Sequence, residues 1–64
     1  MLLKSLRTSE GIRIDLYKRN EEYELQYFAN DGSILKTETY RDKDESEIMH
    51  LTENKAQNTR MLNG

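Results

Sequence analysis

The sequence predicts an α+β fold: a three-stranded antiparallel β-meander packed on one face by a single C-terminal α-helix. Three observations predict it. Residues 12–19 and 22–40 alternate apolar and polar side chains with a period of two, the pattern of half-buried strands. The alternation is broken at Asn20-Glu21 and again at Asn30-Asp31-Gly32, both rich in turn-forming residues. After Tyr40 the apolar residues recur at helical spacing instead.

With 64 residues the chain is one domain, 1–64. A chain of this size buries only about 60% of the surface its unfolded form exposes. Hydrophobic and charged residues each make up 34%, so the core is thin. The chain has no Cys, so no disulfide supplements that core. Self-association or a bound partner is one remedy, and a homodimer through Leu2, Leu3 and Leu6 or through a sheet edge is one expectation. "MLLKSL" has a Lys at position 4 and lacks the apolar run of a signal peptide. No stretch approaches the roughly 18 apolar residues of a membrane span. A cytoplasmic location is expected.

Residues 1–11 read as a lead-in: an edge strand, a turn of helix packed on the sheet, or a tail. Leu2, Leu3 and Leu6 have near-helical spacing, but the segment is too short to hold a helix alone. "TSEG" reads as a break. The sheet then occupies 12–40. Ile12, Ile14 and Leu16 point one way; Arg13, Asp15 and Tyr17 point the other. A two-residue Asn20-Glu21 loop sets Leu16 opposite Leu25 and Ile14 opposite Tyr27, so the two apolar series share a face.

The Gly32 turn leaves a choice of register. A two-residue Asp31-Gly32 turn sets Lys36 and Glu38 on the core side. A three-residue Asn30-Asp31-Gly32 loop closed by a Gly bulge sets Leu35, Thr37 and Thr39 there instead. The second buries no charge and is preferred. It leaves Phe28, Ile34, Gln26, Lys36, Glu24 and Glu38 on the open face, with Glu24 opposite Glu38.

The helix is expected over 42–57. Asp44 with Glu47 three residues later has capping-box spacing, as does Asp42 with Glu45. The acidic first turn suits the helix dipole. Ile48, Met49, Leu51, Thr52 and Ala56 give the apolar stripe. Residues 58–64 are expected to fray.

Chemistry is sparse. His50 is the only His and has ordinary helix neighbours rather than a nucleophile or an orienting carboxylate. Asp42, Asp44, Ser46 and Glu53 fall on calcium-loop positions, but Glu47 stands where the sharp turn requires Gly. There is no phosphate loop and no nucleophile elbow. No catalytic residue, metal or cofactor is therefore expected, and the chain reads as a non-enzyme.

Two binding functions remain. Nucleic acid is one: Arg13, Lys18, Arg19 and Lys36 lie on or near the sheet, interleaved with Tyr17 and Phe28. In outline, with "YKRNEEYELQYFANDGS" at its centre, the segment from about Ile12 to Glu53 resembles the arm-type DNA-binding module of tyrosine integrases. That resemblance implies a sheet that enters a DNA groove. Glu21, Glu22, Glu24 and Glu38 depart from the basic character of that family, and the net charge of −2 lacks the basic excess of a dedicated DNA binder. Protein binding is the other reading and the preferred one. Tyr17, Phe28 and Ile34 would form an apolar island rimmed by Arg13, Lys36, Glu24 and Glu38, the anatomy of a modest interface. The expectation is a small acidic regulator, adaptor or inhibitor, of a size and composition that agree with a phage or mobile-element origin.

Overall fold

The computed structural model describes residues 1–57; the tail expected at 58–64 lies outside the described residues. The elements run β1 (Leu2–Arg7), β2 (Arg13–Arg19), β3 (Glu22–Phe28), β4 (Ile34–Tyr40) and α1 (Glu45–Gln57). The sheet is antiparallel in the order β1-β2-β3-β4. The class is α+β, as expected, but with four strands rather than three. The fourth comes from the lead-in.

"TSEG" is a hairpin loop, not a break. Thr8 N–H donates to the Ile12 carbonyl (2.9 Å), and Gly11 N–H donates to the Thr8 carbonyl (3.1 Å). Gly11 takes φ +85°, a conformation that costs a residue without a Cβ little. The Thr8 hydroxyl accepts from the N–H groups of Glu10 and Ile12. The "NDG" loop repeats this geometry. Ala29 N–H donates to Ser33 O (2.8 Å), Gly32 N–H donates to Ala29 O (3.0 Å), and Gly32 takes φ +91°. Between them, Arg19 pairs with Glu22 around a two-residue loop, with Asn20 at φ 56°.

The loop at Gly32 is therefore the preferred three-residue type, yet the register of β4 is the opposite of the expected one. A second irregularity lies just beyond it. Phe28 pairs with Ile34, but Tyr27 pairs with Lys36, leaving Leu35 as the extra residue of a bulge. A one-residue slip turns every later side chain over. Lys36, Glu38 and Tyr40 now share the helix-covered face with Tyr27, Leu25 and Tyr23; Thr37 and Thr39 lie opposite Gln26 and Glu24. The slip removes the Glu24–Glu38 opposition and brings Tyr40 against the core. Charge burial does not forbid it, because β4 is an edge strand. The Lys36 and Glu38 side chains keep 41% and 24% of their exposure.

The core comprises Ile12, Ile14, Leu16, Tyr23, Leu25, Tyr27 and Ile48, flanked by Leu3, Tyr40, Met49, Leu51 and Ala56. Burying Ile48 fully contributes about 1.5–3 kcal/mol. Thr52 is also fully buried, and its hydroxyl donates to the Ile48 carbonyl at 2.7 Å, so no polar group is stranded there. The helix begins at Glu45 rather than at 42. Asp42 has φ 57°, and the carbonyl of Asp44, just before the first turn, accepts from Ile48 N–H (3.0 Å). Glu45 and Glu47 lie in the first turn and Lys55 in the last, each favourable to the helix dipole. Polar contacts tie the helix to both edges of the sheet: Lys4 Nζ–Glu53 Oε1 at 3.1 Å on β1, and Lys55 Nζ–Glu38 Oε2 at 3.9 Å on β4.

Glu38 is a hub. Its Oε1 accepts from the Tyr27 hydroxyl at 2.5 Å and from the Tyr40 hydroxyl at 3.2 Å, and Lys36 lies 3.4 Å from Oε2. Partial burial pushes the Glu38 carboxyl upward, but the Tyr27 hydrogen bond and the Lys55 and Lys36 charges outweigh it and hold the group below its ordinary value. Burial and the same carboxylate raise both tyrosines. A carboxylate depressed in the folded state stabilises the fold above its unfolded pKa, and that contribution is lost as pH falls through the folded value. Glu38→Ala also strands the buried Tyr27 hydroxyl. It is expected to lower stability by about 1–3 kcal/mol near neutral pH. Urea unfolding from pH 7 down to pH 3 checks this: the gap between wild type and variant should narrow as the pH falls.

Candidate interaction face

The face of the sheet opposite the helix follows from the register. Three rows run across the four strands. The first is Arg7–Arg13–Phe28–Ile34, the second Ser5–Asp15–Gln26–Thr37 and the third Leu2–Tyr17–Glu24–Thr39. A bulge at Leu3 sets the third row, because it puts Leu2 opposite Tyr17 while Lys4 faces Leu16 on the core side.

The middle row is polar and tied down. Asp15 is only 5% exposed although no helix covers it. The Ser5 hydroxyl donates to its Oδ1 at 2.6 Å, the Tyr17 hydroxyl reaches Oδ2 at 3.5 Å, and Arg13 Nε lies 3.3 Å from Oδ1. The last is an ion-pair contact without hydrogen-bond geometry, so Arg13 Nε is buried with no hydrogen-bond acceptor of its own. The Arg13 guanidinium lies over the Phe28 ring, 4.5 Å from its centroid. Beside Phe28, Ile34 is 58% exposed. At the other end of the face, Gln26 Nε2 donates to Glu24 Oε1, Arg19 lies 3.8 Å from the same oxygen, and Arg41 pairs with Glu22 at 2.9 Å.

Of the residues expected on this face, Arg13, Tyr17, Glu24, Phe28 and Ile34 are there. Lys36 and Glu38 are not: the Leu35 bulge puts them on the helix side, with Lys36 Nζ 5.1 Å from the Tyr27 ring centroid. The apolar residues are not one island either. Phe28 and Ile34 form one corner, and Tyr17 forms the diagonal corner with Leu2, with the polar row between them. The basic set Arg13, Lys18, Arg19 and Lys36 is divided as well. Lys18 faces the helix side over Tyr23, 5.6 Å from its ring, while Arg13 and Arg19 lie on the open face beside Asp15 and Glu24.

Arg7 and Leu2 belong to the face and lie in the segment read as a lead-in. The signal for them is the parallel between T-S-E-G and A-N-D-G, each closing a three-residue loop on a Gly. His50 is exposed on the helix, where it lines a shallow depression with Lys43, Glu47, Leu51 and Asn54. Among the described residues no cluster of His, Cys, Asp or Glu is arranged to hold a metal ion, and no helix is long and apolar enough to cross a membrane. Compared with protein-family models, with curated proteins and with solved structures, the chain matches none.

Both edges of the sheet are built in the same way. β1 carries a bulge at Leu3 followed by Lys4 pointing to the helix side; β4 carries a bulge at Leu35 followed by Lys36 pointing to the same side. A bulge and an inward-pointing charge are devices that oppose edge-to-edge pairing with another chain. The double substitution Lys4→Val, Lys36→Val is expected to promote self-association. Sedimentation velocity over a concentration series checks this: the variant should shift to larger species at concentrations where the native chain does not.

Proposed function

We propose that this chain is a non-enzymatic protein-binding module, a regulator, adaptor or inhibitor, whose working surface is the uncovered face of the sheet. The observation that carries the reading is the Phe28–Ile34 corner. An exposed aliphatic side chain and an aromatic ring sit side by side, and Arg13 is stacked on the ring. Aromatic and arginine side chains held rigidly next to open apolar surface are the usual anchors of protein interfaces. The blunted edges support the same choice, since they disfavour strand addition and leave the face for docking.

Nucleic acid binding finds less support in the geometry. The four basic residues that would track a backbone are split between two faces, and the two on the open face have carboxylate neighbours. Fluorescence anisotropy with a labelled duplex and a labelled single strand is expected to show no binding even at about 50 mM salt, where phosphate contacts are strong. Binding there that collapses at about 200 mM salt would replace the protein-binding reading with the nucleic-acid one.

The direct test places a photo-reactive side chain at Ile34, and in parallel at His50 on the helix, in cells that express the chain. A discrete adduct is expected from position 34, and Phe28→Ala should abolish it while lowering the folding free energy by no more than about 1–2 kcal/mol, since Phe28 is only partly buried. Adducts from position 50 alone would move the binding surface to the helix. Loss of the fold in Phe28→Ala would make Phe28 a core residue.

A further inference from the structure

On the proposed face, two arginines lie side by side. Arg7 stands directly across the β1–β2 pair from Arg13, and like charges opposite one another on a sheet repel. Asp15 lies within ion-pair distance of Arg13. Arg7 has no ion pair among the described residues. The same row continues into Phe28 and Ile34. Arg7 and Arg13 thus head a row that ends in an open apolar pair, and Arg13 is the one of the two within ion-pair distance of a carboxylate among the described residues.

We infer that this row is a docking site for a short acidic–apolar segment of a partner protein, and the inference rests on the protein-binding reading above. A partner carboxylate would lie between Arg7 and Arg13, accepting hydrogen bonds from both, and its aromatic or branched aliphatic neighbour would cover Phe28 and Ile34. Arginine forks suit this geometry, because each guanidinium offers paired donors to a carboxylate. Size selects a segment over a second copy of the chain. Four strands and three rows span a face of about 400 Å², about half of what each partner contributes to a standard interface. The centre of the face also carries Asp15, which a face-to-face dimer would bring close to its own copy. Charge selects protein over nucleic acid. Over the rest of the face Asp15, Glu22 and Glu24 alternate with Arg13, Arg19 and Arg41 in ion pairs, so no continuous basic track is offered to a polyanion.

A displayed library of random twelve-residue peptides, selected against the full chain, tests this. Enriched peptides should carry Asp or Glu within two positions of an aromatic or branched aliphatic residue. Synthesised with a fluorophore, they should lose affinity by about tenfold or more for Arg7→Glu and for Phe28→Ala, the loss expected when a charged hydrogen bond or an anchor is removed. Arg7→Lys should retain part of the binding, and circular dichroism should show all variants folded. Peptides that lack acids but still need Phe28 and Ile34 would overturn the acidic specificity and leave the protein-binding reading intact. Peptides indifferent to Arg7, Arg13 and Phe28 would overturn both. Displacement by inorganic phosphate or duplex DNA at concentrations below that of the competing free peptide would make the arginine pair a general anion site and end the inference. So would failure of any peptide to enrich, with the photo-crosslinking result still deciding the broader reading.

Discussion

The hydrogen bond from the Tyr27 hydroxyl to Glu38 holds the last strand in the register on which both faces of the sheet depend. Tyr27 is fully buried, so its hydroxyl needs a partner inside the protein. Glu38 supplies one only when β4 is slipped by one residue at Leu35. With the slip, Tyr40 closes the edge of the core and Lys55 gains an anion at the far side of the helix. Without it, Leu35 and two threonines would line the core and the tyrosine hydroxyl would lack that acceptor. The same slip empties the opposite face of Lys36 and Glu38, leaving Ile34 and the threonines beside Phe28, Gln26 and Glu24. One buried polar atom thus shapes a surface on the other side of the sheet.

The core itself is small for the work it does. Apolar side chains suffice to line one face, and a single helix covers it mainly through Ile48 and Thr52. The ion pairs at the helix flanks, Lys4–Glu53 and Lys55–Glu38, are partly exposed and contribute little each. Their role is placement: an attachment at each edge limits how far a two-anchor helix can pivot on the sheet. The two loops that close on Gly11 and Gly32 add rigidity without core. Each keeps its ends short, and each uses a side-chain oxygen, Thr8 or Asp31, to accept backbone N–H groups that the loop leaves free.

The parts of the fold legible in the sequence are those in which side-chain alternation and turn chemistry agree. From Ile12 to Phe28 they do, and the Asn20 loop and its register follow. The helix was legible from its spacing, and its start was displaced by the acidic run that also reads as a cap. β1 was hidden because its bulge at Leu3 breaks the alternation of "LLKSLR", which mimics helical spacing instead. β4 was visible as a strand but not by face. The rule that charges avoid the core is sound in the middle of a sheet; at an edge, Lys36 and Glu38 reach solvent from the core side. The candidate face was half legible for the same reason. Phe28, Ile34, Arg13, Tyr17 and Glu24 lie before or at the second bulge. Lys36 and Glu38 lie beyond it, and Arg7 and Leu2 belong to the strand that the first bulge disguised.

The two bulges make one device when considered together. Each sits near the end of an edge strand, each is followed by a lysine turned toward the helix side, and each leaves an apolar residue, Leu2 or Ile34, at a corner of the open face. A regular β1 would have kept Leu2 opposite Lys18, and a regular β4 would have kept Lys36 and Glu38 on the outside. The β4 bulge therefore replaces Lys36 and Glu38 by Thr37 and Thr39 on the uncovered face, the β1 bulge brings Leu2 to it, and each leaves a lysine guarding its edge. That contrast between an open face and two guarded edges is what supports the proposal that docking uses the face.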